Sequence, residues 1–130
     1  MKYTENKAQI EIVNYLRSVL PHSIVAHIKN QGSRGGAVGA KEGARLKKMG
    51  VVAGMPDIVV INWANIGCFW VEVKAKGGST SPAQKALHAK LEALGYKICT
   101  AKSHEDVRAF LIANHIGFSE KIQLRGHING

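Results

Sequence analysis

Residues 57 to 75, DIVVINWANIGCFWVEVKA, decide the fold. The first part, Asp57 to Asn62, is a nearly continuous apolar run, and the second, Cys68 to Ala75, places Val71 and Val73 alternately with bulky or charged side chains. Both patterns are typical of β-strands. The linker WANIG is short enough for a hairpin. The stretch therefore predicts two neighbouring antiparallel strands in the middle of the chain.

Towards the N-terminus, the pattern predicts a helix and a further strand. Thr4 to Leu20 has apolar residues at helical spacing, with Thr4 as a plausible N-cap and Pro21 closing the helix. The inward stripe would consist of Ile12, Val13, Leu16, Val19 and Leu20. Ile24 to Lys29 is β-branched and predicts the first strand.

Between these strands, Gly32 to Gly50 is rich in glycine and in basic residues. One short helix is expected here, over roughly Lys41 to Met49, and Gly50 suits its C-terminal cap.

Towards the C-terminus, the chain predicts helix, strand and helix. Ser81 is a natural N-cap, Pro82 suits the first helical position, and Gly95 marks the end of that helix. Its inward residues would be Ala83, Leu87, Leu91 and Leu94. Tyr96 to Ala101 predicts a fourth strand, and Ser103 would cap a last helix that ends near Ile116.

The resulting order is α-β-β-β-α-β-α, with the short helix of the glycine-rich stretch lying between the first two strands. A hairpin-built sheet that receives a strand after a crossover helix is mixed and carries helices on its faces. The prediction is an α/β fold with about four strands. The 130 residues suit one domain over the whole chain.

Charge is the most informative bulk property. Eighteen Lys and Arg against nine Asp and Glu give a formal net charge of +9 and a pI near 9.8. A domain this basic binds polyanions readily, because each neutralised phosphate releases counterions. Charge that serves only solubility is the alternative, and composition alone does not separate DNA from RNA or an acidic protein.

Several other classes are disfavoured by what the chain lacks. It has no apolar run long enough for a membrane span and no signal-peptide pattern, so the expected location is the cytoplasm, the host's if the chain is viral. Cys68 and Cys99 are expected to be reduced packing residues. The six histidines lack zinc-helix spacing, and without a P-loop no nucleotide cofactor is expected.

The chemistry is expected where the two central strands meet. In an antiparallel hairpin, Asp57 at the start of one strand lies beside Glu72 near the end of the next, and alternation puts Lys74 on the same face as Glu72. Two carboxylates and substrate oxygens suit Mg²⁺ or Mn²⁺, and the backbone carbonyl of Val73 would be a further ligand. The alternative is a cross-strand ion pair beside an ordinary Pro-Asp turn.

Gly54-Met55-Pro56-Asp57 followed by Glu72-Val73-Lys74 resembles the PD-(D/E)XK nuclease signature. More specifically, RLKKMGVVAGMPDIVVI, then VEVKAKGG, then SPAQ resembles the VRR-NUC family, the virus-type replication and repair nucleases. The resemblance runs from about Thr4 to Phe110. It implies a restriction-endonuclease-like αβββαβ core, in agreement with the order above.

The resemblance also implies roles for individual residues. Asp57 and Glu72 match the metal-binding acids, Lys74 matches the catalytic lysine, and Gln84 matches a glutamine beside the site. On the helical wheel Gln84 flanks Leu87 and Leu91, so it can reach inward; the alternative is an amide on the helix surface. The family carries a glutamate in its first helix as well. Glu5 falls within the apolar stripe, whereas Glu11 projects opposite it, so Glu5 is the expected metal ligand.

The basic stretch before Asp57 is the expected DNA contact, because glycines let the backbone approach phosphates closely. The alternative is a solvated loop with a mildly basic helix. The predicted DNA-binding residues are Arg34, Lys41, Arg45, Lys47 and Lys48.

Taken together, the residues and the resemblance imply a Mg²⁺- or Mn²⁺-dependent DNA endonuclease acting on branched DNA. Holliday-junction resolution by a homodimer is the specific expectation, on the analogy of the family and the geometry of two sites related by a two-fold axis. Flap cleavage, duplex nicking and a restriction-like enzyme that reads one sequence stay open. A DNA-binding protein that retains the nuclease scaffold without turnover is the alternative from another class.

Overall fold

The computed structural model describes residues 2–28, 36–62 and 67–120, and side chains within them from residue 5 and from residue 39 onward. Four helices and four strands follow one another in these ranges. They are α1 (Lys2–Val19), β1 (Ile24–His27), α2 (Gly36–Lys48), β2 (Ile58–Asn62), β3 (Gly67–Val73), α3 (Pro82–Ala93), β4 (Lys97–Ala101) and α4 (His104–Ala113).

The four strands form one mixed sheet in the order β1-β2-β3-β4. The pairs β1–β2 and β2–β3 are antiparallel, as short connections allow. β4 returns parallel to β3 because α3 carries the chain back across the sheet. The predicted α/β class and mixed four-stranded sheet are confirmed.

One face of the sheet packs against α1 and α4 and holds the main core. Alternate residues of the central strands point to this face, and Ile12 and Leu16 of α1 and Leu111 of α4 cover them with no exposed surface. The strand residues of this core are Val25, Ile58, Val60, Phe69, Val71, Val73, Cys99 and Ala101. The stripe predicted for the first helix is therefore the one that is buried, with Val13 partly so.

The opposite face carries the intervening residues of β3, namely Trp70 and Glu72, and Lys74 continues the alternation. α3 packs on this side, next to β4. Glu72 and Lys74 are both buried here although both are charged. The two faces of the sheet thus separate the apolar core from a polar cluster.

Element bounds differ from the predicted ones at several ends. α1 begins at Lys2, so Thr4 lies inside the helix and does not cap it. α2 begins at Gly36, before the expected Lys41, because alanine among the glycines is enough to sustain a helix. β1 ends at His27, and β2 starts after Asp57. Lys29, Arg34 and the linker residues 63–66 lie outside the described residues.

Helix capping agrees with the sequence in α3 and differs in α4. The Ser81 Oγ accepts a hydrogen bond from the Gln84 backbone N–H (3.2 Å), and Pro82 opens the helix. Ser103 is the N-cap residue of α4, as predicted, but its side chain makes no capping hydrogen bond. Glu11 of α1 accepts from the His104 backbone N–H instead (2.9 Å). Glu11 is exposed, as expected, and its role as a cap from another helix is visible only in the folded chain.

The inward face of α3 is narrower than predicted. Leu91 is buried, but Leu94 is 73% exposed and Ala83 is also exposed. Leu94 is the C-cap residue, where the backbone leaves the helical path and turns at Gly95. Within the described ranges, no helix combines the length and apolar character needed to cross a membrane.

Candidate active site

The register of β2 and β3 brings the two predicted acids together. Ile58 pairs with Val71, so the next step towards the sheet end places Asp57 beside Glu72. The proximity follows directly from antiparallel pairing, since the start of one strand adjoins the end of its neighbour.

Asp57 is held by backbone groups on both sides. Its Oδ2 accepts a hydrogen bond from the Val73 N–H (2.7 Å). Its own carbonyl oxygen accepts from the Ile28 N–H (2.7 Å) and lies 2.9 Å from His27 Nδ1. The carboxylate therefore has one oxygen anchored to β3, while the end of β1 holds its main chain.

Gln84 joins the other polar side chains of the site. Its Oε1 accepts from Lys74 Nζ (2.8 Å) and from the Ser81 N–H (2.9 Å). Its Nε2 donates to Glu72 Oε2 (2.9 Å). Because the N-cap of α3 fixes the same side chain, Gln84 ties the start of this helix to the end of β3.

Glu72 sits in an environment that disfavours its charge. The side chain is 2% exposed, and Lys74 Nζ lies 3.5 Å from its Oε2. Burial, followed by the neighbouring charge of Asp57, raises the pKa of the Glu72 carboxyl to about 8, against the opposing effect of Lys74. Two carboxyl groups packed this closely call for a proton or a cation between them.

One oxygen of Glu72 has no hydrogen-bond partner in the described part of the chain. This atom, Oε1, is buried and lies 3.5 Å from Nε2 of His88, which is also buried without a partner. Burial is the main cause that lowers the pKa of His88, favouring its neutral form. An unpartnered carboxylate oxygen beside a second carboxylate fits a hard divalent cation.

A cleft of about 600 Å³ opens beside these residues. Asp57, Ser81 and Gln84 line one side, and the small residues of α2, together with Lys47, line the other. Gly54, with φ +87°, passes so close to the first turn of α3 that a Cβ would come within 2.8 Å of the Ala83 carbonyl oxygen. Gly54, two residues before Pro56, thus lets this loop pack against the helix that carries Gln84.

The predicted DNA-binding residues occupy different settings. Lys47 lines the cleft, whereas Lys41 and Lys48 are exposed. Arg45 is also exposed, but its guanidinium is paired with Glu42 (2.8 Å). Arg34 lies outside the described residues.

Glu5 is half-buried on α1. Among the described residues, no hydrogen bond or ion pair joins it to Asp57, Glu72 or Lys74, so its part in metal binding stays a prediction. The backbone of Val73 contacts Asp57 through its N–H, and a ligand role for its carbonyl likewise stays a prediction.

A separate group of potential ligands lies on the α1–α4 side. Glu11, His104 and Glu105 have donor atoms within 4.8 Å of one another. The closest of these contacts, 2.6 Å between Glu11 and His104, belongs to the cap of α4. These atoms are therefore explained by helix capping.

His88 and His27 border the site and were not singled out from the sequence. His88 follows Gln84 by four residues, the spacing that puts two side chains on one helical face. That spacing was a usable signal, because Gln84 was already expected to reach inward. His27 offered no comparable signal, since its contact depends on how β1 pairs with β2.

A mixed sheet with two carboxyl groups and a lysine at the end of adjacent strands defines the class of PD-(D/E)XK nuclease folds. Within that class, the family model for the VRR-NUC domain matches residues 5–105, and the chain belongs to this family of nucleases.

A solved structure described as a VRR_NUC domain protein has the same fold. It superposes with a TM-score of 0.62 at 23% sequence identity, covering 82% of this chain and 84% of that one. No curated protein sequence matches the chain.

Proposed function

We propose that the protein is a Mg²⁺- or Mn²⁺-dependent DNA endonuclease whose site consists of Asp57, Glu72, Lys74 and Gln84. The observation that carries the proposal is the buried Glu72 carboxyl group, with an unpartnered Oε1, beside the half-buried carboxyl group of Asp57. Membership of a nuclease family supports it.

Asp57 and Glu72 would hold the cation, with the Val73 carbonyl and Glu5 as further candidate ligands. When bound, a divalent cation polarises the scissile phosphate and makes a water molecule more acidic. The hydrogen bond from Val73 fixes one Asp57 oxygen and leaves the other free to bind. The Gln84 amide orients Glu72 in the same way.

Lys74 is suited to act on the phosphate or on the attacking water. Its ammonium group is buried and is held 2.8 Å from Gln84 Oε1. A cation fixed in this way stabilises the charge that develops on phosphoryl oxygens in the transition state. It also positions the water for attack.

DNA would enter along the cleft between α2 and the start of α3. Lys47 lines this cleft together with Asp57, and Lys41 and Lys48 add exposed charge on the same helix. Phosphate contacts of this kind supply affinity without reading sequence. They favour an enzyme that recognises DNA shape.

For the substrate we propose branched DNA, with Holliday-junction resolution by a homodimer as the specific case. Residues 1–130 would act as one nuclease domain, in the cytoplasm, or in that of the host for a viral chain. Ile24 of the edge strand and its partner Ile61 are 61% and 48% exposed, and such an apolar edge supports pairing of two copies. Two sites related by a two-fold axis could cut opposed strands of a four-way junction.

The test compares cleavage of junction, flap, duplex and single-stranded DNA with Mg²⁺, with Mn²⁺ and with EDTA. Metal-dependent cleavage that leaves 5′-phosphate ends is expected, with the junction preferred. Asp57→Asn and Lys74→Ala should abolish cleavage yet keep DNA binding, because neither removes the basic cleft wall. Lys97→Ala, at the far end of the sheet, is the matched control and should cut normally.

Other outcomes separate the alternatives. Binding of all substrates without metal-stimulated cleavage would show a scaffold protein that has no turnover. Cleavage confined to one sequence in linear duplex would show a restriction-like enzyme. Light scattering of the protein at micromolar concentration checks the homodimer.

A further inference from the structure

His88 is a half-buried histidine, with a buried Nε2, that the proposed chemistry does not use. Its side chain is 13% exposed, and its Nε2 points to Glu72 Oε1 at 3.5 Å. Neither atom has a hydrogen-bond partner in the described ranges. Since buried polar atoms are nearly always paired, two such atoms facing each other call for an explanation.

α3 presents a different side chain to each oxygen of the Glu72 carboxyl group. Gln84 donates to Oε2 at 2.9 Å, while His88, one helical turn later, faces Oε1. Both side chains come from the same face of the helix. α3 therefore offers one donor group for each oxygen of Glu72.

His88 is poorly placed to be a ligand of the same ion as the two acids. Ligand atoms around Mg²⁺ lie at about 2.1 Å from it, hence at most about 4.2 Å from one another. Among the described residues, the one trio of Asp, Glu, His or Cys donor atoms within 4.8 Å of each other is Glu11, His104 and Glu105. Asp57, Glu72 and His88 do not form such a trio.

We propose that His88 is a positioning residue, donating its Nε2–H to Glu72 Oε1 and so holding the ionised carboxylate in the orientation that binds the cation. The inference rests on the proposed metal-dependent function. A carboxylate oxygen has two lone pairs, so it accepts from His88 and binds a cation at once. Mutation of a side chain that hydrogen-bonds a metal ligand, without itself binding the metal, commonly lowers metal affinity by about 10- to 100-fold.

The test measures Mn²⁺ binding to the metal-free protein without DNA, from the electron paramagnetic resonance signal of free Mn²⁺. His88→Ala should weaken binding by at least about 10-fold. His88→Gln should restore most of the affinity, because its amide nitrogen reaches the place of Nε2. His88→Asn should not, because its amide is one carbon shorter. Lys90→Ala, an exposed residue of the same helix, should bind as the unchanged protein does.

The Gln and Asn variants differ by one methylene, so their comparison decides the matter even if the alanine variant does not fold. Equal Mn²⁺ affinity of these two variants, or of the alanine variant and the unchanged protein, would overturn the inference. Directly coordinated nitrogen in the electron spin echo modulation of bound Mn²⁺ would also overturn it, since His88 would then be a ligand. Absence of any Mn²⁺ binding by the unchanged protein overturns it as well.

Cleavage by the unchanged protein is measured alongside. Binding that depends on His88 without cleavage of any DNA leaves the inference standing and removes the proposed function. Metal-dependent cleavage, combined with Mn²⁺ affinity that is the same in the His88 variants and the unchanged protein, overturns the inference and leaves the proposed function standing.

Discussion

Glu72 carries a carboxyl group into the interior, where ionisation is costly without a counter-charge. The charge of Lys74 lowers that cost, but the charge of Asp57 adds to it. With its pKa raised to about 8, the Glu72 carboxyl group favours its protonated form near neutral pH, and a bound cation would replace this proton. The Glu72 carboxyl group, which suits metal binding, therefore lowers the free energy of unfolding when no metal is bound.

The stability of the metal-free protein should depend on pH through Glu72. The folded pKa of about 8 lies above the ordinary 4.5, so between these values the folded state binds a proton that the unfolded chain has released. The free energy of unfolding should then fall as pH rises from 4.5 towards 8, by at most about 1.4 kcal/mol per pH unit.

Urea denaturation in EDTA between pH 7 and 8 measures the change of the unfolding free energy with pH. This range lies above the ordinary pKa of histidine. Glu72→Gln should reduce the slope, because an amide does not titrate. Glu92→Gln, an exposed carboxyl of α3, is the control. An identical slope in the Glu72 variant and the unchanged protein would contradict the assignment.

At the scale of elements, the start of α3 is the part on which the site depends. Its capping box uses Gln84, and the same amide contacts Glu72 and Lys74. The loop before Asp57 packs on this turn through Gly54. A local helix cap and the alignment of the site are therefore coupled.

Gly54→Ala should disturb this coupling. The added Cβ would meet the Ala83 carbonyl oxygen at 2.8 Å and would also strain a residue with positive φ. We expect a loss of about 1–3 kcal/mol in stability and a fall in cleavage of about 100-fold, since displacement by about 1 Å is enough for this. Thermal melting and the junction assay measure the two effects.

The Gly95→Ala variant shows the effect of backbone strain at positive φ without a steric contact of the added Cβ. Gly95 also has positive φ, +95°, but no atom lies within 4 Å of its Cβ position. This variant should lose stability and keep its cleavage rate. Equal cleavage by both variants would mean that the packing of Gly54 on α3 does not align the site.

The cap of α4 gives a prediction at the same scale. Glu11→Ala should lower stability by about 0.5–2 kcal/mol, as the loss of a helix cap does, without changing cleavage. Ser103→Ala should change stability little, because that side chain makes no cap hydrogen bond. Chemical denaturation at neutral pH measures both, and a larger loss in the serine variant would refute the assignment.

The same cap should weaken in acid. The hydrogen bond from the His104 backbone is the main cause that lowers the pKa of Glu11 below 4.5. A lowered carboxyl pKa means that the stabilisation is present above 4.5 and is lost as pH falls through the folded value.

At the scale of the whole molecule, the net charge of +9 gives the protein a general attraction to polyanions. Two lysines of the described ranges lie at different ends of the sheet. Lys47 lies in the wall of the cleft that contains Asp57, whereas Lys97 lies at the opposite end of the sheet. Affinity for DNA should depend on the first and hardly on the second.

Lys47→Ala should weaken DNA binding in a salt-dependent way. Removing one phosphate contact lowers the slope of log affinity against log salt by about 0.9 on duplex DNA. Fluorescence anisotropy over a range of salt concentrations measures this slope for the variant, for Lys97→Ala and for the unchanged protein. The Lys47→Glu, Lys48→Glu double variant should bind still more weakly, and unaltered binding at low salt would exclude this helix as the contact.

The sequence by itself determined the elements and the proximity of the central acids. Strand alternation and the short hairpin linker place Asp57, Glu72 and Lys74 at one sheet end, because pairing of adjacent strands is a local property of the chain. The cap at Ser81 and the inward side chain of Gln84 follow from local helical geometry in the same way.

Only the tertiary structure decided the contacts that join distant segments. The approach of His88 to Glu72 Oε1, the cap of α4 by Glu11, the packing of Gly54 on α3 and the place of Lys47 all depend on how helices dock on the sheet. Periodicity tells which face of a helix is buried, but not which residue of another element it meets. The reason is physical: docking is set by side-chain packing summed over the whole core, which no short stretch of sequence contains.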